Sequence, residues 1–219
     1  MPSLSTNSER ADKILLAATQ LFARQGYSGT STREIARLAD VSENTLFRHF
    51  EHKEDLFWAT LRSHSAWLTF CKDSLEGITA FDAPEVVLPK ILGLLTDTAD
   101  FRPELLRLIA VAFLELQWKA EAFCQEQLEP IFSIIRKYLA INIKSGRMHN
   151  FDPTMVTAAL MTTVLMHSGM ARLIDGNTPT YSDSRDAARA YTRFWLDVLS
   201  PRLEARPWPI SSMAGQPSS

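Results

Sequence analysis

Apolar residues recur at spacings of three and four along most of the chain, which is the pattern of amphipathic helices, and no segment alternates with the period of a strand. Ile14, Ala18 and Phe22 follow this spacing in the first such segment, and Gly26 is expected to end it. Capping residues, prolines and glycines divide the pattern into nine predicted helices, the first three short or of medium length. They begin near residues 10, 32, 43, 53, 84, 103, 120, 153 and 183.

The second and third predicted helices are short and are joined by a tight turn at Asp40. Ser42 is expected to cap the third helix, which runs to about residue 49. On a helical wheel, Leu46 and Phe50 point to one side, while Asn44, Thr45 and Arg48 point to the other. A short helix with an apolar anchor and an outward edge of Asn, Thr and Arg is suited to the major groove of DNA.

The segment TSTREIARLADVSENTLFRHFEHK, residues 30–53, resembles the DNA-binding domain of the TetR/AcrR family of transcriptional regulators. The resemblance is strongest over residues 14–57. It implies an all-α fold with an N-terminal three-helix DNA-binding domain, residues 9–55, and a larger helical ligand-binding and dimerisation domain, residues 56–203. Residues 1–8 and 206–219 are expected to be disordered. The matching residues are Thr32, Arg33, Ile35, Ala36, Val41, Ser42, Thr45, Leu46, Phe47, His49, Phe50 and Lys53.

The resemblance also implies a role for each residue that faces DNA. Arg33 would reach a base edge, most naturally the O6/N7 pair of a guanine. Asn44 and Arg48 would face bases or the adjacent phosphates. Three further side chains would clamp the phosphate backbone without reading sequence; they are Thr45, His49 and Lys53. The predicted DNA-contacting set is Thr32, Arg33, Ser42, Asn44, Thr45, Phe47, Arg48, His49 and Lys53.

The chain departs from the family pattern at three positions of the motif. Phe47 replaces the usual Tyr, so a phenol hydrogen bond to phosphate is lost. Asp40 replaces the usual Gly before Val41, and its short side chain tolerates left-handed backbone geometry. Asn44 replaces a small residue and adds a candidate adenine reader. These changes are expected to alter which operator is chosen more than whether one is bound.

The last two predicted helices are apolar on more than one side, which favours a homodimer with an isologous four-helix interface. The alternative is that their apolar stripes belong entirely to the core within one chain. The predicted interface residues are Val156, Leu160, Val164, Ala171, Ala187, Tyr191, Phe194, Trp195 and Val198.

Large adaptable side chains in the middle helices indicate a ligand pocket, although each of them singly also suits a plain core position. Charged residues are sparse there, so a hydrophobic or aromatic small molecule is expected, with His167 as one polar anchor. The candidate lining residues are Trp67, Phe70, Cys71, Phe113, Trp118, Met166, His167 and Met170.

Composition changes this picture little. The net charge of −2 gives no overall indication of a polyanion partner, but the charge of the whole chain is a poor guide when only a small face meets DNA. Cys71 and Cys124 are interpreted as reduced core thiols, and no cysteine or histidine cluster has metal-ligand spacing. No apolar targeting segment or membrane span is evident, so a cytoplasmic protein is expected.

The sequence lacks GxSxG, GxGxxG, Walker and HExxH motifs, so neither an enzyme nor a cofactor is expected. The sequence therefore predicts a DNA-binding regulator, a repressor released from a palindromic operator by a small ligand. An activator or a ligand-independent regulator of the same fold is the first alternative. A small-molecule-binding protein or enzyme with a silent helix-turn-helix is a more distant one.

Overall fold

The computed structural model describes the backbone of residues 4–174 and 184–200, and the side chains of residues 7–117, 119–163 and 185–200. These residues form helices and no strand. The helices are α1 (Leu4–Gln25), α2 (Thr32–Leu38), α3 (Glu43–His49), α4 (Lys53–Arg62), α5 (Ser65–Glu76), α6 (Pro84–Phe101), α7 (Pro103–Glu115), α8 (Gln117–Phe123), α9 (Glu129–Lys144), α10 (Pro153–Ile174) and α11 (Ser184–Leu199), with a π-helical turn at Cys124–Leu128 between α8 and α9.

The nine predicted helices correspond to eleven α-helical segments in the described region, because two predicted helices are interrupted. The predicted helix over 53–75 breaks after Arg62, where the Ser63 hydroxyl donates a hydrogen bond of 2.6 Å to the carbonyl of Thr60. The predicted helix from 120 to 144 contains the π-helical turn just before Pro130. Proline has no N–H to donate and crowds the preceding turn, which accounts for the disruption there.

The N-terminus corrects one expectation. The sequence places the start of the first helix near Arg10, with residues 1–8 disordered, whereas α1 begins at Leu4. Residues 4–8 are therefore helical. The predicted tail, residues 206–219, lies outside the described residues.

An aromatic cluster joins α1 to α4 at the centre of the N-terminal helices. Phe22 and Phe57 are completely buried, and their rings meet edge to face at 5.2 Å between centroids. Tyr27 stacks on Phe22 at 5.9 Å. Ile35 of α2 and Leu46 of α3 are also completely buried, so all four N-terminal helices contribute to one core. This core fixes α2 and α3 relative to α1.

In the C-terminal region α6 is central, with α10 and α11 both packed against it. Four residues predicted to form the dimer interface are buried inside this single chain, since Val156, Leu160, Ala187 and Trp195 are at most 6% exposed. Their apolar side chains are covered by the neighbouring helices of the same chain, so these four assignments are corrected to intrachain core.

The other predicted interface residues differ in their surroundings. Tyr191 and Val198 are half-buried against the core, whereas Phe194 is 55% exposed. The side chains of Val164 and Ala171 lie outside the described residues.

Candidate nucleic-acid interface and apolar cavity

Local hydrogen bonds fix both ends of α2. At its start, the Glu34 backbone N–H donates to the Ser31 hydroxyl at 3.2 Å, and the Ser31 N–H donates to the Glu34 carboxylate at 3.1 Å. This reciprocal capping box sets where the helix begins. After α2, Asp40 takes the left-handed conformation with φ of 55°, as expected for the position where the family carries glycine. The turn closes when the Val41 N–H donates to the Ala36 carbonyl at 3.0 Å.

Ser42 caps α3 and is tied to the helix it starts. The Thr45 N–H donates to the Ser42 hydroxyl at 3.1 Å, and the two side-chain hydroxyls lie 2.9 Å apart. The Thr32 hydroxyl donates to the Glu43 carboxylate at 3.1 Å, which joins the first turn of α2 to the first turn of α3. Leu46, completely buried, anchors the opposite side of α3 in the core. The two short helices therefore form one rigid unit.

The outward face of this unit carries most of the predicted DNA-contacting residues. Asn44, Phe47 and Arg48 are exposed along α3, and His49 is half-exposed at its end. Arg33 is exposed in the first turn of α2. The structure thus places Arg33 and the polar edge of α3 on one unit.

Lys53, a predicted phosphate contact, does not have the surroundings of an ordinary surface lysine. It is the first residue of α4, and its ammonium lies 4.4 Å from the centre of the Tyr27 ring. Partial burial lowers the pKa of Lys53, and the nearby Glu115 carboxylate opposes that shift. Glu115 was missed by sequence reasoning, because it is 88 positions from its partner Tyr27 and no local pattern connects them.

A second candidate site is a cavity of about 130 Å³ enclosed mainly by α5, α6, α7 and α9. Among the described residues of its wall, Cys71 and Thr98 carry the only polar side-chain atoms. The Thr98 hydroxyl donates to the Leu94 carbonyl at 2.7 Å and accepts a hydrogen bond from the Trp67 indole at 3.0 Å. Burial raises the pKa of the Cys71 thiol, which therefore stays neutral. The cavity is apolar and uncharged.

The predicted pocket residues are only partly brought together there. Cys71 and Phe113 line the cavity. Trp67 does not line it, because its indole contacts Thr98 from outside the wall and its ring packs against the Arg102 guanidinium. Phe70 is 52% exposed and is likewise absent from the wall. The side chains of Trp118, Met166, His167 and Met170 lie outside the described residues.

The described part of the chain contains no group of three or more His, Cys, Asp or Glu side chains placed to hold a metal ion. None of its helices combines the length and the apolar character needed to cross a membrane.

The fold and the α2–α3 unit define a helix-turn-helix protein, and comparison with known proteins agrees. A family model described as "Bacterial regulatory proteins, tetR family" matches residues 14–60. The HTH-type regulator QacR of Staphylococcus aureus is 44% identical over 57 residues, which are 26% of this chain and 30% of QacR. YvkB of Bacillus subtilis, an uncharacterized HTH-type transcriptional regulator, is 50% identical over 54 residues, or 25% of this chain and 29% of YvkB. The chain thus matches less than a third of the length of these two relatives.

The similarity of fold extends over nearly the whole chain. A tetR-family regulatory protein from Rhodococcus RHA1 superposes with a TM-score of 0.69 and 23% identity, covering 87% of this chain and 97% of that one. AibR, solved with isovaleryl coenzyme A and operator DNA, has a TM-score of 0.64 and 17% identity, covering 84% of this chain and 97% of AibR. The N-terminal helices, residues 14–60, thus match the tetR family, and the predicted all-α fold is confirmed. The prediction that it is not an enzyme agrees with the description of these relatives as regulators.

Proposed function

We propose that this protein is a sequence-specific transcriptional regulator that places α3 in the major groove of double-stranded DNA. The observation that carries the proposal is the α2–α3 unit, in which buried Leu46 anchors α3 while Asn44 and Arg48 remain exposed. A helix held in this way presents its polar edge to DNA with little further ordering of its backbone on binding. DNA as the partner also supports a cytoplasmic location.

The division of labour among the side chains follows from their positions. Arg33, Asn44 and Arg48 are proposed to read base edges, because they are exposed and are long or amide-bearing. Phosphate contacts are proposed for Thr45, whose hydroxyl already pairs with that of Ser42, and for His49 and Lys53, which lie just before α4 and at its first residue. The proposed domain division is a DNA-binding domain over 9–55 and a ligand-binding and dimerisation domain over 56–203.

A homodimer is proposed on the apolar surface that the single chain leaves uncovered. Met155 on α10 is 56% exposed and Phe194 on α11 is 55% exposed. The small residue Ala158, also exposed on α10, permits close approach of a second helix. Two-fold symmetry would place the two copies of α3 one DNA turn apart, roughly 34–36 Å, over a palindromic operator.

Repression with release by a small ligand is the regulatory mode proposed. A dimer bound across a promoter blocks transcription without any further contact, whereas activation requires a contact with the transcription machinery. Repression is therefore the simpler of the two modes. The cavity supports a ligand, and its size and lining indicate which kind. At about 130 Å³ it is close to an engineered apolar cavity of about 150 Å³ that stays dry and binds benzene. We therefore propose a neutral, apolar effector of about the size of one aromatic ring.

Benzene is accordingly expected to raise the melting temperature of the wild-type protein, whereas benzoate, which carries a charge, is not. At one hundred times its dissociation constant, a ligand of the folded state adds about 2.7 kcal/mol of stability. For a chain of this length that corresponds to a rise of about 5–10 °C. Thermal unfolding followed by circular dichroism measures the shift.

The matched control is Leu106→Phe, which adds volume to a side chain of the cavity wall. This variant should respond to benzene less than the wild type does. An equal response in both proteins, or an equal response to benzoate, would contradict an apolar effector in this cavity.

The proposed DNA-binding function is tested by selecting sites from a random-sequence duplex pool at physiological salt. An enriched palindrome would support a dimeric helix-turn-helix regulator, and an enriched unpaired half-site would support a monomeric one. No enrichment by folded protein would refute sequence-specific binding.

A further inference from the structure

One carboxylate joins the end of α7 to the turn that follows α1. Glu115, the last residue of α7, accepts hydrogen bonds from the backbone N–H groups of Tyr27 at 3.1 Å and Ser28 at 2.7 Å. Gly26 makes this approach available, because a Cβ there would lie 2.5 Å from the carboxylate oxygen. Its φ of +76° also suits glycine above other residues.

The same carboxylate lies in the electrostatic surroundings of Lys53. Partial burial opposes ionisation of Glu115, but the hydrogen bonds from Ser28 and Tyr27 and the charge of Lys53 hold its pKa below the usual value. The Lys53 ammonium lies over the ring of Tyr27, the residue whose N–H Glu115 binds. Glu115 therefore holds in place Tyr27, whose ring Lys53 lies over, and its negative charge also attracts the Lys53 ammonium.

Helix α7 connects this junction to the apolar cavity. Leu105, Ile109 and Phe113 of α7 lie in the cavity wall, and Glu115 follows two residues after Phe113. An ion pair between Lys119 on α8 and Glu54 on α4 lies next to this junction. A displacement of α7 would thus alter the contacts of Glu115 with the turn after α1 and the surroundings of Lys53 at the start of α4.

We propose that Glu115 is a positioning residue that orders Lys53 for a phosphate contact and ties it to the helix lining the cavity. The inference rests on the proposed DNA-binding function. An ammonium held in one place before DNA arrives loses less side-chain freedom when it meets phosphate. Replacing the carboxylate with an amide leaves Lys53 charged but less ordered. Because a glutamine side chain has one acceptor oxygen instead of two, the change also removes at least one of the hydrogen bonds from Tyr27 and Ser28.

A double-mutant cycle distinguishes a role of Glu115 in positioning Lys53 from a purely structural role in holding the turn after α1. Affinity for the selected duplex is measured for the wild type, Glu115→Gln, Lys53→Ala and the double variant. Glu115→Gln is expected to weaken binding about tenfold in the wild-type background and less than about twofold when Lys53 is already alanine. Lys53→Ala should also reduce the salt dependence by about one unit. Equal factors in the two backgrounds would overturn the proposal.

The matched control for charge is Glu121→Gln, which removes a carboxylate from the exposed surface of α8. Removing any negative charge near DNA favours binding, so the Glu115→Gln effect is taken relative to Glu121→Gln. Glu121→Gln is expected to bind the duplex at least as tightly as the wild type. A loss equal to that of Glu115→Gln would overturn a specific role for Glu115.

A measurement without DNA distinguishes failure of the coupling between Glu115 and Lys53 from failure of the proposed DNA-binding function. Titration of the Lys53 side-chain nitrogen by NMR should give a lower pKa in Glu115→Gln than in the wild type, because the opposing carboxylate charge is gone. An unchanged pKa would overturn the coupling even where DNA binding is intact. Absence of DNA binding by the wild type, with the pKa shift present, would instead remove the proposed function and the phosphate role with it.

Discussion

Replacing Phe57 with alanine is expected to lower the free energy of unfolding by about 3–5 kcal/mol, the largest effect of any single change considered. Phe57 is completely buried and meets three aromatic rings edge to face, at 5.2 Å from Phe22, 5.7 Å from Tyr27 and 5.3 Å from Trp58. Truncation removes apolar burial and leaves a cavity that rigid neighbours on α1 and α4 fill poorly. Urea titration monitored by circular dichroism measures the loss.

The control for this prediction is Phe81→Ala, since Phe81 is 88% exposed in the loop before α6. A change at such a surface position is expected to stay within about 0.5 kcal/mol. If the two alanine variants lost similar stability, the aromatic cluster would not be the structural centre of the N-terminal helices.

Replacing Arg33 with alanine is expected to weaken binding to the selected duplex by about 1–3 kcal/mol, or roughly 5- to 150-fold. Arg33 is exposed in the first turn of α2, where its guanidinium is available for a bidentate contact with guanine. Base preference should relax at one position of each half-site. Fluorescence anisotropy on duplexes changed at single base pairs measures both effects.

Arg37→Ala provides a matched comparison, because Arg37 is also exposed but lies in the last turn of the same helix. Arg37→Ala should weaken binding less than Arg33→Ala does, and by a similar factor for every duplex. Equal losses for both arginine variants, without any change of base preference, would assign Arg33 to non-specific attraction.

The helix-turn-helix was predictable because its determinants are local. Ser42 sits three residues before the N–H it caps, and Asp40 occupies the one position of the turn with positive φ. The face of α3 also follows from helical periodicity alone, which predicts Leu46 in the core and Asn44 on the outside, as the structure has them.

Features that depend on distant contacts were not predictable. Val156 and Trp195 have the spacing of an interface stripe, but periodicity shows only that a face is covered and not whether the cover comes from the same chain. The size of Trp67 predicts a place in the pocket wall, whereas its indole donates a hydrogen bond to Thr98 from outside that wall. The bond from Glu115 to the end of α1 joins residues nearly ninety positions apart, and single-sequence patterns carry no information on such pairs.

The central claim is that the exposed edge of α3 reads DNA sequence, and a specificity ratio tests it most directly. The affinity for the selected duplex is divided by that for a scrambled duplex, for the wild type and for the double variant Asn44→Ala/Arg48→Ala. The wild-type ratio should reach about 10³ or more, and the variant ratio should fall by at least about tenfold with an unchanged unfolding midpoint. A variant that keeps the wild-type ratio would contradict the account.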